Sequence, residues 1–595
     1  MSAPSTPASE LPSATSSPSL ASSIPTPGAP AAEPLSEAEQ KRLDRARKKA
    51  EQQARKDERK RIAAETGVDP ALLPASLGGG LGNATARPRG FTPRQWADVP
   101  VPNGDGAGQD GEGSKVSLLT WNMLAQALVR RELFPGSDCL KGKDRLPPLM
   151  QEVLYYAPDI ACLQEVDRLS DHLPSLTLTH SYTSFVGYRN KAHGLLIAHA
   201  NKTFEKVGER GLRLDELPID DTDPVSTAPS GTATPVSAEG EANGDADADE
   251  APGTESPEEV RPPDAASPSR KASRRAAGLS RSTRNVCLFV ALKFKDREGG
   301  VIVGTTHLFW HPMHVYERVR QTGIFVREAK KFREEGGGGA WRDWPVFLAG
   351  DFNTQPEELT YRLLLGAPLP SHLISDLERS TCVHQSVDKL HDPSYEPPAP
   401  PEPEAKEGDE AAATATASSA DPSQDPDKVI KNSRPAAEAD GLASLEQLKK
   451  LYGYQEGAGS GSGIRSAYGE AYGRVKGEED KWYCARSPEV QTASGSKVLP
   501  TEKEKEERSR GTWEERVRRG DFEPIYTNFT PLWRCTLDYI LLLPPSPNSS
   551  SPAKPAPRWT SLLKMHDVET MGAGLPRKGI EPSDHVALAA TVELF

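Results

Sequence analysis

Val346-Phe347-Leu348-Ala349-Gly350-Asp351-Phe352-Asn353-Thr354-Gln355-Pro356 sets an apolar strand against an Asp-x-Asn tip. The residues before the tip alternate and are apolar enough for a buried sheet, so Asp351 and Asn353 are expected to project from the strand's end on one side. A carboxylate and an amide are thereby aimed at one spot. Asp and Asn also open turns by bonding their own backbone, so this segment alone leaves both readings standing.

Other segments repeat the theme of an apolar run that stops at a group able to touch a metal or a phosphate. Val116 to Asn122 ends at Asn122, and Ile160 to Glu165 ends at Glu165 after an amphipathic stretch, Leu149 to Ala157, that reads as a helix. Val301 to His307 ends at His307, and Asp538 opens a strand continuing through Leu543. Pro582-Ser583-Asp584-His585-Val586 leads into a last apolar strand, Ala587 to Leu594. Polar groups thus recur at six strand ends.

This ordered set, Trp-Asn, Leu-Gln-Glu, Thr-His-Leu, Gly-Asp-Phe-Asn, Leu-Asp-Tyr and Ser-Asp-His, resembles the endonuclease/exonuclease/phosphatase superfamily. Three longer pieces, Thr120 to Gln126, Thr306 to Pro312 and Phe529 to Ile540, are similar to its branch of deadenylases, nocturnin, angel proteins and fungal Ngl-type RNA exonucleases. The resemblance implies a four-layer α/β sandwich, two packed mixed β-sheets flanked by helices, with long disordered insertions. It also implies a hydrolase working with Mg²⁺ or Mn²⁺, ions suited to hard oxygen ligands.

Attack on a phosphodiester requires charge shielding, an aligned water and a stabilised leaving oxygen. The resemblance gives Glu165 as the first metal ligand, with Asn122 beside it on the metal or a phosphate oxygen, and Asp584 completing the shell. It gives Asp351 as the group that orients and deprotonates the water, Asn353 as its hydrogen-bonding neighbour, and His307 and His585 as donors to phosphate oxygens. Asp538 is expected to hold the His585 imidazole. Phe309 and Trp310 follow His307; packing beneath the site is the expectation, with base stacking by Trp310 the alternative. His311 and His314 have a spacing usable by zinc, but Pro312 lies between them and no Cys or Glu cluster accompanies them, so a loop is expected. Arg318, Arg320 and Gln321 are read either as a phosphate path or as a polar helix surface.

One departure bears on the substrate. Where the resembling deadenylases show Asp-Gly-Cys-Ala, this chain has Lys191-Ala192-His193-Gly194, which places Lys191 and His193 on the substrate side and argues against strict poly(A) preference. A smaller change is Arg534-Cys535 before Thr536.

An apolar share of 36%, with 54 prolines and 49 glycines in 595 residues, points to long stretches unable to bury a core. Residues 1–36 read as a disordered tail, 37–66 as a basic charged helix opened by Ser36 and Glu39 at capping-box spacing, and 67–114 as a linker. The catalytic domain is expected over 115–595, interrupted by insertions at 216–284, 396–440, 455–520 and 545–557. What remains is roughly 290 residues, enough for one large domain. Long insertions are tolerated because loop closure costs little once a sheet fixes their ends. No leucine-rich repeat precedes the motifs, which favours a stand-alone nuclease.

The net charge of −13 is set by the acidic insertions and leaves room for a locally basic groove. The first residues lack the apolar core of a secretory signal, no run is long enough to cross a bilayer, and six widely spaced cysteines read as reduced thiols. A cytoplasmic or nuclear protein without a membrane anchor is expected. The resemblance implies an exonuclease releasing 5′-mononucleotides from RNA 3′ ends, in ribosomal RNA processing or mRNA deadenylation; the charged helix at 37–66 reads either as a solvated helix or as an arm docking on RNA or ribosomal particles or directing nuclear import. The alternatives are a nocturnin-like phosphatase on NADP(H), a lipid or inositol phosphodiesterase, and a non-catalytic RNA-binding protein. The inositol enzymes carry Cys-Asp-Arg where this chain has Leu-Asp-Tyr, and the last alternative is disfavoured because every catalytic position is filled.

Overall fold

The computed structural model describes residues 90–100, 113–189, 191–220, 283–384, 433–436, 442–454, 462–475, 510–549 and 555–595, with 440, 490–491 and 497–498 between them. The tail at 1–36, the basic helix at 37–66 and most of the expected insertions lie outside the described residues.

Along the chain the strands of the two large sheets are β1 (Trp96–Asp98), β2 (Ser114–Asn122), β3 (Ile160–Val166), β4 (His180–Phe185), β5 (Gly194–Ala200), β6 (Phe204–Arg213), β7 (Val286–Phe294), β8 (Gly300–His307), β9 (Val346–Asp351), β10 (Arg465–Ser466), β11 (Asp538–Leu542), β12 (Arg558–Leu563) and β13 (Leu588–Leu594). Sheet one runs β1-β12-β13-β2-β3-β5-β4 and sheet two β10-β11-β9-β8-β7-β6. Both are mixed, with β2 parallel to β3 and β8 parallel to β9.

Alternation of side chains builds the layers. Val116 and Leu118 of β2, Ile160 and Cys162 of β3, and Phe347 and Ala349 of β9 share one core between the sheets. Their neighbours Leu119, Trp121, Ala161 and Leu163 turn the other way, onto Leu149, Met150 and Val153 of α1 (Gly142–Tyr156). Leu348 of β9 and Leu541 of β11 likewise turn outward, into a core with Phe325 of α2 (Val315–Glu335) and Leu448 and Tyr452 of α3 (Leu445–Tyr452). Period-2 strands with both faces apolar can exist only between two layers, so the order helix, sheet, sheet, helix follows. Each fully buried aliphatic or aromatic side chain contributes about 1.5–3 kcal/mol to that arrangement.

α1 begins at Gly142, earlier than the amphipathic stretch from Leu149, and carries Pro147 and Pro148 inside it, each of which forgoes one intrahelical bond. Two expected boundaries shift further. In the stretch read as a linker, Phe91 and Arg94 are buried and β1 adds an edge strand to sheet one. Arg94 lies 3.3 Å from Glu152 and 3.6 Å from Glu581, a charge cluster that composition does not display.

Within the stretch read as an insertion at 455–520, α4 (Ala467–Ala471) lays Tyr468 and Tyr472 into the inter-sheet core. The Tyr468 hydroxyl donates to the Leu563 carbonyl at 2.7 Å, so an aromatic in a Gly- and Ser-rich sequence is buried with its polar end satisfied. A capping box between Thr512 and Glu515 opens α5 (Trp513–Arg518) in the same stretch. Small polar residues hid both elements, since they lack an aliphatic stripe.

Gly350 lets the ends of β8 and β9 close up. A Cβ there would stand 2.3 Å from the Thr306 carbonyl oxygen. The register that follows sets His307 beside Asp351 on one side and Asp538 beside Asp351 on the other.

Candidate active site

Register alone therefore gathers His307, Asp351 and Asp538 at one end of sheet two. Across the seam, β2 and β3 of sheet one end together at Asn122 and Glu165. Asn122 Nδ2 donates to Glu165 Oε1 at 3.1 Å and to Asp351 Oδ2 at 2.9 Å, joining the sheets' polar ends at one amide. His585, just before β13, donates from Nδ1 to Asp538 Oδ2 at 2.7 Å and places Nε2 3.7 Å from Asp351 Oδ2. His307 Nε2 stands 3.7 Å from Asp351 and 3.8 Å from Glu165.

Backbone strain aims Glu165. It sits at φ +54° where the pairing of β3 with β5 shifts register, and its Oε2 accepts the Ala125 N–H at 2.9 Å. A non-glycine residue in the left-handed region inside a strand is uncommon and is held here by its surroundings. Asn353 is also left-handed, at φ +47°, and its N–H donates to Asp351 Oδ1 at 2.9 Å. Both readings of the Asp-x-Asn tip hold together: one carboxylate oxygen closes the turn while the other faces the site. The Asn353 amide nitrogen goes to the Leu308 carbonyl at 2.9 Å.

The electrostatics separate the two histidines. Burial pushes His307 down to about 4, so it is a neutral imidazole. Burial also opposes charge on His585, but Asp538, its hydrogen bond and then Asp351 and Asp584 outweigh it and hold the imidazolium well above the usual range. Burial, reinforced by Asp538 directly opposite, raises Asp351 to about 7. For Glu165, burial is overcome by His307, His193 and two hydrogen bonds, which keep the carboxylate below its ordinary value. Burial raises Asp584, whose Oδ2 accepts from Asn528 Nδ2 at 3.4 Å.

Hard carboxylate oxygens converging on one amide form a donor set that fits Mg²⁺ or Mn²⁺. Among the described residues, Asp351, Asp538 and His585 also bring ligand atoms within 4.8 Å of one another. The expectation that Asn122 itself offers oxygen to the ion meets a different arrangement, because its Oδ1 accepts the Leu124 N–H at 3.0 Å and its nitrogen faces the carboxylates.

Lys191 and His193 lie at the rim, the His193 ring 6.4 Å from that of His307. Trp310 is 43% exposed and does not pack beneath the site, contrary to expectation; its ring lies 6.5 Å from that of Phe309 and meets His311 edge-on at 5.1 Å. Arg318, Arg320 and Gln321 form neither a phosphate path nor a polar surface. All are buried: Arg318 donates to the His311 and Pro312 carbonyls, Arg320 pairs with Glu317 at 2.7 Å, and Gln321 donates to Asn285 Oδ1 at 3.1 Å. A helix face rich in charge can be interior when every charge has a partner.

His311 and His314 sit in the turn before α2, with His311 Nδ1 accepting the Met313 N–H at 3.2 Å. His314 is fully buried against Phe309, and burial pushes it down to about 3. A histidine held below its unfolded value of about 6.5 contributes stability above that pH and loses it as pH falls toward 3, at about 1.4 kcal/mol per pH unit. His314→Phe should therefore gain on the parent in thermal melts as pH drops from 6.5 to 4. A pH-independent difference would reject a neutral buried His314.

Several residues that position the site carried no role in the sequence reading. Gln164 Nε2 donates to Thr120 at 3.1 Å and to Thr305 at 3.0 Å, bolting one sheet to the other beside Glu165. Trp121 Nε1 donates to the His585 carbonyl at 2.8 Å, and Ser583 Oγ to the Asn122 carbonyl at 2.6 Å. Asn285 Nδ2 supports the His307 carbonyl at 2.8 Å. Arg145 donates to the Met123 carbonyl at 2.7 Å and the Pro582 carbonyl at 3.3 Å. A hairpin pairs Asn528–Phe529 with Arg534–Cys535, its tip exposing Leu532 and Trp533; Arg534 lies over the Phe529 ring at 4.5 Å. Gln164 and Trp121 lie inside the quoted motifs and were the legible ones.

Residues 119–408, which hold four of the six strand-end segments, match the sequence profile of the Endonuclease/Exonuclease/phosphatase family. Over that span the chain is similar to that family. Among curated relatives, a probable RNA exonuclease of Schizosaccharomyces pombe is 25% identical over 488 residues, covering 80% of this chain and 76% of that protein. RNA exonuclease NGL2 of Saccharomyces cerevisiae is 30% identical over 283 residues, and the match spans 43% of each chain. The solved structure of ANGEL2, a 2′,3′-cyclic phosphatase, is 15% identical with a TM-score of 0.45, covering 85% of this chain and 99% of that one. The five described cysteines are free thiols, and no described helix is long and apolar enough to cross a membrane.

Proposed function

We propose that this chain is a metal-dependent exonuclease that releases 5′-mononucleotides from RNA 3′ ends. The observation that carries the reading is the meeting of Glu165, Asp351 and the Asp538–His585 pair around the single amide of Asn122. The RNA exonuclease names of two relatives support RNA as the substrate.

Glu165, with Asp584, would hold Mg²⁺ or Mn²⁺, which when bound shields the negative charge of the phosphate. Asp351, raised to about 7, is matched to accept a proton from water near neutral pH. His585, fixed by Asp538 in its charged form, donates from Nε2 to a phosphate oxygen as charge builds there. His307, kept neutral, binds without adding charge beside Glu165. Trp310 and Trp533, both exposed at the rim, offer flat faces to bases without selecting among them. Ribosomal RNA precursors are the favoured substrate class and mRNA poly(A) the narrower one; residues 37–66 supply positive charge for docking on ribosomal particles.

Purified protein with Mg²⁺ and two 5′-labelled RNAs, one ending in oligo(A) and one of mixed sequence, tests this. Ladders from the 3′ end of both are expected. Digestion that stops at the edge of the A tract would make the enzyme a deadenylase. Two intact RNAs, with phosphate released from NADP⁺ in a parallel tube, would overturn the exonuclease reading.

A further inference from the structure

Beside the carboxylates the chain places two cations, Lys191 and Arg284, that make no ion pair among the described residues. Lys191 Nζ donates to the Arg284 carbonyl at 3.1 Å, which holds the ammonium against that residue's backbone. The Arg284 guanidinium lies over the Tyr188 ring at 5.3 Å. On the same ring, at 5.1 Å, lies Arg213, but Arg213 is answered by Glu216 at 3.2 Å. Among the described residues, neither Lys191 nor Arg284 has a carboxylate at ion-pair distance.

The nearest acid is already spent. Asp215 Oδ2 accepts from the Tyr188 hydroxyl at 3.1 Å and the Arg284 N–H at 2.8 Å, while Oδ1 accepts from Thr283 at 2.9 Å. These bonds pin Arg284 at φ +61°, a conformation its neighbours must impose. Thr283 and Asn285 are both tied to Gln321, and Asn285 supports the His307 carbonyl, so the cations are rigidly linked to the catalytic strand β8. Burial works against the Lys191 ammonium; Glu165 draws toward it, and the like charge of Arg284 opposes it ahead of the weaker pull of Asp215. Arg284 is exposed and Lys191 half-buried, so both cations stand where a strand entering the site can reach them.

We infer that Lys191 and Arg284 form a phosphate subsite for the phosphodiester next to the one hydrolysed, in single-stranded RNA. The inference rests on the exonuclease reading for its substrate. Its position follows from its neighbours: the His193 ring lies 6.4 Å from that of His307 and Lys191 feels the charge of Glu165, whereas His585 Nε2 stands 3.7 Å from Asp351. A lysine point charge and a guanidinium stacked on an aromatic ring suit the non-bridging oxygens of a diester.

Lys191→Met, Arg284→Gln and the double variant test it, with thermal melts confirming that each is folded. Binding of a labelled RNA is followed by anisotropy at several salt concentrations, and hydrolysis of the same RNA gives kcat and KM. Expected in the double variant is a KM on the order of tenfold higher, with kcat far less affected. The slope of log affinity against log salt should flatten by about 0.7, the loss of one phosphate contact on a single strand. A neutral methylphosphonate at the linkage next to the cut should reproduce this loss in the parent and add nothing in the double variant. Parent-like affinity and slope in the double variant, or additive effects of the neutral linkage, would overturn the subsite. RNA that the parent binds with a steeper salt slope than the double variant, but never shortens, would sink the exonuclease reading and leave the subsite standing.

Discussion

Glu165→Gln loses at least about 10³-fold in kcat, a deficit of roughly 4 kcal/mol in transition-state stabilisation. The replacement keeps the size of the side chain and an oxygen for the Ala125 N–H, so the strained backbone at φ +54° retains its anchor. What disappears is the charge. Glu165 is the carboxylate that its surroundings keep ionised, whereas Asp351 is driven toward its neutral form, so no neighbour substitutes for it. RNA binding, measured by anisotropy, should persist within severalfold, because most affinity for a single strand comes from other phosphates and from stacking. Titration of Mn²⁺ followed by electron paramagnetic resonance supplies a readout independent of turnover, and Glu165→Gln should weaken it. Turnover within tenfold of the parent would refute the metal role.

The second large effect is on stability. Arg145 is fully buried and no carboxylate lies at ion-pair distance among the described residues; its nitrogens go to the carbonyls of Met123, Leu124 and Pro582. Arg145→Met fills much of the volume but orphans three buried carbonyl groups, each costing about 1–3 kcal/mol. A loss of about 4 kcal/mol or more in urea unfolding is expected. Arg145→Lys should recover little, since one ammonium cannot reach the carbonyls of two separate loops as a fork does. The residue ties the Asn122–Ala125 loop to the Pro582–His585 loop, so folded variant at low temperature should still lose hydrolysis. An unchanged unfolding midpoint would refute the role of the clamp.

The six strand ends were legible because an apolar run ending in Asp, Glu, Asn or His is a local pattern, and sheet register turns that pattern into proximity. Asp351 and Asp538 are recognisable one at a time; that they face each other follows from β9 pairing with β11. Arg145 and Asn285 stayed silent because their partners lie in other parts of the chain, and no spacing encodes such contacts. Arg320 and Glu317 look like a solvated pair at helical spacing, and only the packing of α2 shows that both are interior. Tyr468 was hidden differently: its neighbours are small, so its apolar weight was averaged away.

The order of the strands in sheet one also governs when the site exists. β13 lies between β12 and β2, and Ser583 and His585 just ahead of it bond to Asn122 and Asp538. A nascent chain that has not yet released residues through 594 from the ribosomal tunnel therefore lacks the middle of a sheet and one half of its catalytic pair. The pairing of β13 with both neighbours and the meeting of His585 with Asp538 are therefore one folding event, and the site is complete only once it has happened.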